Sequence, residues 1–304
     1  MILLLGSSGF LGKRVVKFLN KKNIIFKEIK GKSDLDLRNF FEVDNFFRKI
    51  KPEVIINCSA NVGGIQYGYK YPADIFFDNT QIQINILKSS VRSKVKRLIN
   101  PIPNCSYPHK LKLFKESNIW DGEMHESVRT YGFVKKGYLI SSWAYKKQFN
   151  LELINLIFSN LYGPEDHFDE ERSHALGAIV MKISKANRPD HSSVKLFGTG
   201  NPVREWLHVD DAANSLIRAL DIKYIEAPLN IGIGKGLSIN ELANLIKNYI
   251  GYNGDIVFDK TKPDGDNHKT MDGSLAKKIM NWSPEIEFKR GLEDTIKWYE
   301  SNFK

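Results

Sequence analysis

Cysteine is scarce in this chain: its 304 residues include only Cys58 and Cys105. Two thiols cannot build a disulfide framework, and these two lack metal-site spacing, so both are expected to be free and no metal is expected. Long apolar runs are missing as well. No stretch approaches the ~20 residues that span a membrane, and the opening Met1 to Leu5 run is too short for a signal peptide and follows no basic segment. A cytoplasmic protein without a membrane partner is the expectation. Repeats and low-complexity linkers are also lacking, which argues for one or two domains packed together rather than tethered. Hydrophobic residues at 42% and charged residues at 26% allow a large core at this length. Acidic residues are outnumbered, giving a formal charge of +10. The lysines are scattered and accompany no nucleic-acid motif, so no nucleic-acid partner is expected. The excess reads as a solvated surface, and a positive field would also favour phosphate-bearing ligands.

Glycine is present at an ordinary level, 22 residues, but is well placed. Gly6, Gly9 and Gly12 follow the apolar Met1 to Leu5 run and open a helical pattern of Leu11, Val15, Phe18 and Leu19. A strand that turns sharply on glycines into a helix N-terminus is how a dinucleotide pyrophosphate is held. Apolar, β-rich segments then alternate with helical ones: residues 24–30, 53–60, 97–102 and 151–160 read as strands, 73–91 and 132–149 as helices. Such a βαβ series predicts an α/β fold with a doubly wound parallel (Rossmann) sheet whose ligands lie at the carboxyl ends of the strands. Beyond Asn160 the pattern changes. Residues 161–164 (Leu-Tyr-Gly-Pro) read as a turn. Short strands at 194–197, 229–233 and 255–258 then mix with helices, one of them opened by the capping box Ser238-x-x-Glu241. The expected division is a cofactor domain over 1–162, with part of 205–235 returning to it, and a smaller α/β substrate-binding lobe over 163–304.

Tyr131 and Lys135 stand one helical turn apart, so both face the same side of a helix. A phenol titrates near about 10, and a neighbouring ammonium is expected to lower that value and fit the phenol for proton transfer to a carbonyl oxygen. After a nucleotide-binding half, the pair marks the expected centre of a nicotinamide-dependent enzyme.

Over nearly its whole length the chain resembles the extended short-chain dehydrogenase/reductases, and within them the GDP-L-fucose synthase group of nucleotide-sugar epimerase-reductases. The resemblance rests on ordered segments: Gly6-Ser7-Ser8-Gly9-Phe10-Leu11-Gly12; Val62-Gly63-Gly64-Ile65 with Tyr71-Pro72-Ala73-Asp74 and Asn79; Cys105-Ser106-Tyr107-Pro108; and Tyr131-x-x-x-Lys135. It continues through Asn160-Leu161-Tyr162-Gly163-Pro164, Ser173-His174, Arg204-Glu205-Trp206-Leu207-His208-Val209-Asp210-Asp211 and Lys262-Pro263-Asp264-Gly265.

That resemblance implies an NADP(H)-dependent enzyme acting on a nucleoside-diphosphate 4-keto-6-deoxy sugar, with epimerisation beside the ketone, C4 reduction, or both. Cys105 and His174 match the family's acid-base pair, and Tyr131 with Lys135 its reducing centre. Residues Gly6, Ser7, Ser8, Gly9, Phe10, Leu11 and Gly12 would hold the pyrophosphate, Asp36 and Leu37 would border the adenine, and Asn79, Lys135, Phe158, Ser159, Asn160 and Leu161 would line the rest of the cofactor. Lys30 and Lys32, at the tip of the second strand, favour the 2′-phosphate of NADP(H) over NAD(H), with Glu28 close by as the opposing signal. Asn160, Lys182, Phe197, Arg204, Asp264 and Lys269 would meet the sugar nucleotide, the cations answering its diphosphate and Phe197 stacking on its base.

One position departs from the family, which places a Ser or Thr four residues before the tyrosine of Cys-x-Tyr-Pro to bond the substrate carbonyl. This chain has Pro103 there, which offers neither a hydroxyl nor an N–H. Asn104, one residue on, has an amide that could donate. Two alternatives therefore stay open: a sugar-nucleotide 4-dehydrogenase, reductase or epimerase of different stereochemistry, and a cofactor-binding protein with weakened catalysis. A homodimer through two helices of the cofactor domain is what the family implies.

Overall fold

In the computed structural model, residues 1–188, 193–262 and 264–303 are described. The first half is a βα series: β1 Ile2–Leu5, α1 Phe10–Lys21, β2 Phe26–Ile29, α2 Phe40–Ile50, β3 Val54–Asn57, α3 Ile65–Lys70, α4 Pro72–Arg92, β4 Arg97–Pro103, α5 Arg129–Phe149 and β5 Glu152–Phe158. The predicted strands are all present, three of them trimmed at their ends and β4 one residue longer than expected. Helix α2 was not foreseen. It starts because Asn39 accepts hydrogen bonds from the Phe41 and Glu42 N–H groups, two of the four donors that a helix start leaves unpaired.

Leu161 and Tyr162, expected in a turn, instead join Asn160 in a separate strand, β6 Asn160–Tyr162, because the chain leaves the main sheet at Ser159 and finds a parallel partner elsewhere. There follow α6 Ala175–Ala186, β7 Val194–Phe197, β8 Val203–Arg204, β9 Trp206–His208, α7 Val209–Arg218, β10 Leu229–Ile231, β11 Leu237–Ser238, α8 Ile239–Ile250, β12 Ile256–Asp259, β13 His268–Lys269, α9 Ser274–Met280 and α10 Phe288–Phe303. The Ser238–Glu241 capping box is present in full at the start of α8.

Six strands form one parallel sheet in the order β10-β5-β4-β3-β1-β2. The order reverses at β1, so β1, β3 and β4 end beside the crevice where such sheets bind ligands. Strand β1 is buried on both faces, as a run of Leu3, Leu4 and Leu5 requires in a parallel sheet. One face packs on α2, α4 and α5 through Val43, Phe47, Ile86 and Tyr138. The other packs on α1 and α7 through Val15, Leu19, Ala213 and Leu216. A third core, including Tyr162, Leu176, Val180, Leu242 and Leu292, joins α6, α8 and α10. Among the described residues no helix is long and apolar enough to cross a membrane.

Candidate functional site

The glycine turn is a cradle. Gly6 has φ +76°, and a Cβ on Gly12 would sit 2.0 Å from the Gly6 carbonyl oxygen. Gly6 and Ser7 donate their N–H groups to the Ile29 carbonyl, and Ser8 Oγ donates to the Lys30 carbonyl at 2.6 Å, tying the turn to the tip of β2. Helix α1 starts at Gly9 without a side-chain cap, and the hydroxyl of buried Ser7 has no partner. Free N–H groups, an idle hydroxyl and room for close backbone approach fit a pyrophosphate.

Around the rest of this crevice, several predicted residues are already engaged. Asp36 takes a two-pronged bond from Arg38, 3.0 Å on each oxygen, and that guanidinium holds its carboxyl below the usual range. Arg38 also pairs with Asp78 at 3.1 Å, and Lys32 lies 3.9 Å from Asp36. Leu37 offers its carbonyl to Asn85. Asn79 bonds Asn61 twice, accepting from its N–H and donating to its carbonyl, so its amide shapes the loop after β3. Arg38 carried no motif signal; only the fold places it between Asp36 and Asp78.

The carboxyl end of β4 carries the chemistry. A 3-10 turn over Asn104–Ser106 is clamped to the start of α5: Ser106 Oγ donates to the Gly132 carbonyl at 3.1 Å, and a Cβ on Gly132 would lie 2.5 Å from the Cys105 carbonyl oxygen. Cys105 is thereby set beside Tyr131. Lys135 Nζ lies 5.7 Å from the Tyr131 ring centre and 5.7 Å from that of Tyr138. Tyr138 in turn accepts from Asn57 at 3.1 Å.

The expected direction of the Tyr131 shift is reversed. Burial pushes its phenol well above the ordinary value, with the neighbouring Cys105 and Tyr138 adding to the rise, and lowers Lys135 to about 8. Burial likewise lifts the Cys105 thiol to about 11, although Lys269 pulls it down. His174 is pulled below the ordinary imidazole value by burial alone. It begins α6 on a loop docked against the Val62 to Ile65 segment, where Gly64 donates its N–H to the Arg172 carbonyl and a Cβ on Gly64 would touch the Ser173 carbonyl.

Pro103 ends β4 opposite Phe158, Ser106 is spent on Gly132, and the Tyr107 hydroxyl donates to Asn230 at 2.8 Å. Asn104 is buried, and its Nδ2 is a donor without a partner.

On the far side of the crevice stand the substrate candidates. Lys269 is buried near Cys105 and Arg204. Arg204 donates to the Val203 carbonyl at 2.9 Å and to that of Asp264 at 3.4 Å. Phe197, 42% exposed, has Lys182 Nζ 4.8 Å and Lys262 Nζ 6.0 Å from its ring centre, so it is a ring flanked by cations rather than a core residue. Asp264 spends its carboxylate on the N–H (2.6 Å) and hydroxyl (2.8 Å) of Thr199, which shapes the turn after Phe197. Pro263 of the same motif lies outside the described residues. Glu205, whose role the motif did not reveal, is completely buried beside Arg204.

A glycine cradle at the first strand and a Tyr-Lys helix against the fourth define a dinucleotide-dependent enzyme of the short-chain type. The chain belongs to the NAD dependent epimerase/dehydratase family, whose model matches residues 2–232. It is similar to GDP-L-fucose synthase 1 of Arabidopsis thaliana, 34% identical over 302 residues that cover 99% of this chain and 93% of the relative. In structure it is similar to a GDP-L-fucose synthetase from Naegleria fowleri bound to NADP, with a TM-score of 0.88 at 26% identity over 99% of this chain and 94% of that one. A GDP-6-OMe-4-keto-L-xylo-heptose reductase from C. jejuni superposes with a TM-score of 0.90 at 27% identity, over 99% and 97% of the two chains. The resemblance carried by the motifs therefore extends across the whole molecule.

Proposed function

We propose that this protein is an NADP(H)-dependent enzyme that takes a GDP-linked 4-keto-6-deoxy sugar, epimerises it beside the ketone and reduces it at C4. The observation that carries this reading is the clamp that sets the Cys105 turn against the Tyr131 helix, with Lys135 near Tyr131 and Lys269 near Cys105. The relatives' GDP-sugar chemistry and the NADP in the Naegleria structure support the choice of ligands. The sugar nucleotide would lie against Phe197, Arg204, Lys182 and Lys269, and residues 1–162 would form the cofactor domain.

NADP(H), held by the Gly6 to Gly12 turn and Lys135, would supply the hydride. Tyr131, kept protonated by its burial, donates its proton to the C4 oxygen, and the Lys135 ammonium stabilises the phenolate left behind. For epimerisation, burial leaves Cys105 as a protonated thiol and His174 as a neutral imidazole, one proton donor and one acceptor for the acidified C–H beside the ketone.

The test is to supply GDP-linked 4-keto-6-deoxy sugar with NADPH or NADH and read the product by NMR. An epimerised, C4-reduced product formed faster with NADPH is expected. In heavy water without cofactor, deuterium is expected beside the ketone, slowed roughly a hundredfold or more in Cys105→Ala or His174→Ala. No cofactor oxidation and no exchange would overturn the reading.

A further inference from the structure

Glu205 is a buried carboxyl group, pushed up by burial to about 7 against its backbone hydrogen bonds, that the proposed chemistry does not use. Among the described residues no cation pairs with it: Arg204 is directed to the Val203 and Asp264 carbonyls, and Lys269 stands near Cys105. A buried, unpaired carboxylate is costly and persists only where hydrogen bonds satisfy it. Here three backbone donors do so: Ile233 N–H, Gly234 N–H at 3.2 Å and Met271 N–H at 2.8 Å. The pocket is shaped for it, since a Cβ on Gly232 would lie 2.5 Å from Oε1.

The backbone of the same residue is equally engaged. Its N–H donates to the Lys269 carbonyl at 3.0 Å. Its carbonyl accepts from both Asn160 N–H at 3.2 Å and Asn160 Nδ2 at 2.9 Å. One residue thus binds the strand that carries Lys269, the loop after β10, and the 158–161 segment proposed to line the cofactor.

We propose that Glu205 is a positioning residue that couples the two halves of the crevice, so that filling the cofactor side favours binding on the sugar-nucleotide side and the reverse. The proposal rests on the functional reading above. A cofactor bound along residues 158–161 would order Asn160, and Glu205, held by its three backbone hydrogen bonds, would pass that order to Lys269 and Arg204. Coupling of this kind is reciprocal and is commonly about fivefold or more in affinity.

The experiment measures GDP affinity by calorimetry with and without saturating NADP⁺, in the native protein and in Glu205→Gln. The amide Nε2 of Gln would face a backbone donor where an oxygen now accepts. The native protein is expected to bind GDP at least about fivefold more tightly with NADP⁺ present, and Glu205→Gln to reduce that gain below about twofold while each ligand alone still binds. Hydrogen exchange on the native protein gives a reading that no folding defect can obscure: NADP⁺ alone is expected to slow exchange at the Ile233, Gly234 and Met271 amides. Binding of both ligands without coupling, an unchanged gain in folded Glu205→Gln, or unchanged exchange at those amides would overturn the coupling alone. Failure of NADP⁺ or GDP to bind at all would overturn the functional reading and the coupling with it.

Discussion

Lys135 is the residue whose titration governs reduction in the proposed reaction. Burial lowers it to about 8, so its ammonium is present below that pH and is lost as pH rises through it. With the ammonium gone, nothing stabilises the Tyr131 phenolate. C4 reduction measured from pH 6 to 10 is therefore expected to fall above about pH 8 by up to tenfold per unit, while NADPH binding changes far less. At Asn104 the expectation concerns the idle donor. Asn104→Ala is expected to slow C4 reduction by about a hundredfold in a steady-state assay, the usual worth of one carbonyl-polarising donor, without slowing deuterium exchange beside the ketone. Pro103→Ser supplies a competing hydroxyl and is expected to recover part of that loss in the double variant. If Asn104→Ala keeps full reduction, Tyr131 polarises the carbonyl unaided.

At the scale of elements, the turn between β1 and α1 is the least forgiving. A methyl on Gly12 would overlap the Gly6 carbonyl, and both are backbone positions that cannot move aside cheaply. Gly12→Ala is expected to lose about 1–3 kcal/mol in a denaturant melt. NADPH affinity, followed by fluorescence titration, is expected to fall more than tenfold. Normal affinity would mean that the turn does not touch the cofactor. This turn was readable in the sequence because glycine spacing and helical periodicity are local properties. Strand β6 was not readable, since its partner Trp206–His208 lies more than forty residues away and no local pattern announces it.

For the whole molecule, the outer surfaces of α4 and α5 fit the expectation that the family resemblance implies, a contact between two copies. Phe77 and Ile84 repeat seven residues apart on α4, as do Phe133 and Ile140 on α5, and all four are at least half exposed on neighbouring helices. Two such stripes would bury well against a second copy in a four-helix contact. Sedimentation of the native protein is expected to give a dimer, and the Phe77→Lys, Ile140→Lys double variant a monomer with its cofactor site intact. A native monomer at micromolar concentration would overturn this expectation.

What the sequence determined by itself was whatever depends on near neighbours: the parallel α/β class, the glycine turn, the Tyr131–Lys135 spacing, the capping box at Ser238, and a family resemblance carried by ordered motifs. Tertiary structure decided the protonation chemistry. Tyr131 was expected to titrate lower, but the turn that sets Cys105 beside it also half-buries both, and desolvation raises the phenol and, against the pull of Lys269, the thiol. It also decided which polar side chains are spent and which are idle. Asn79 and Asp264 look available in the sequence, yet each is held by a partner that folding alone supplies, whereas Asp36 is held by Arg38 two residues along the chain. Asn104 keeps an unpaired donor, and Glu205 becomes a junction, for the same reason: hydrogen bonds between residues distant in the chain are satisfied or left open only once the sheet has brought them together.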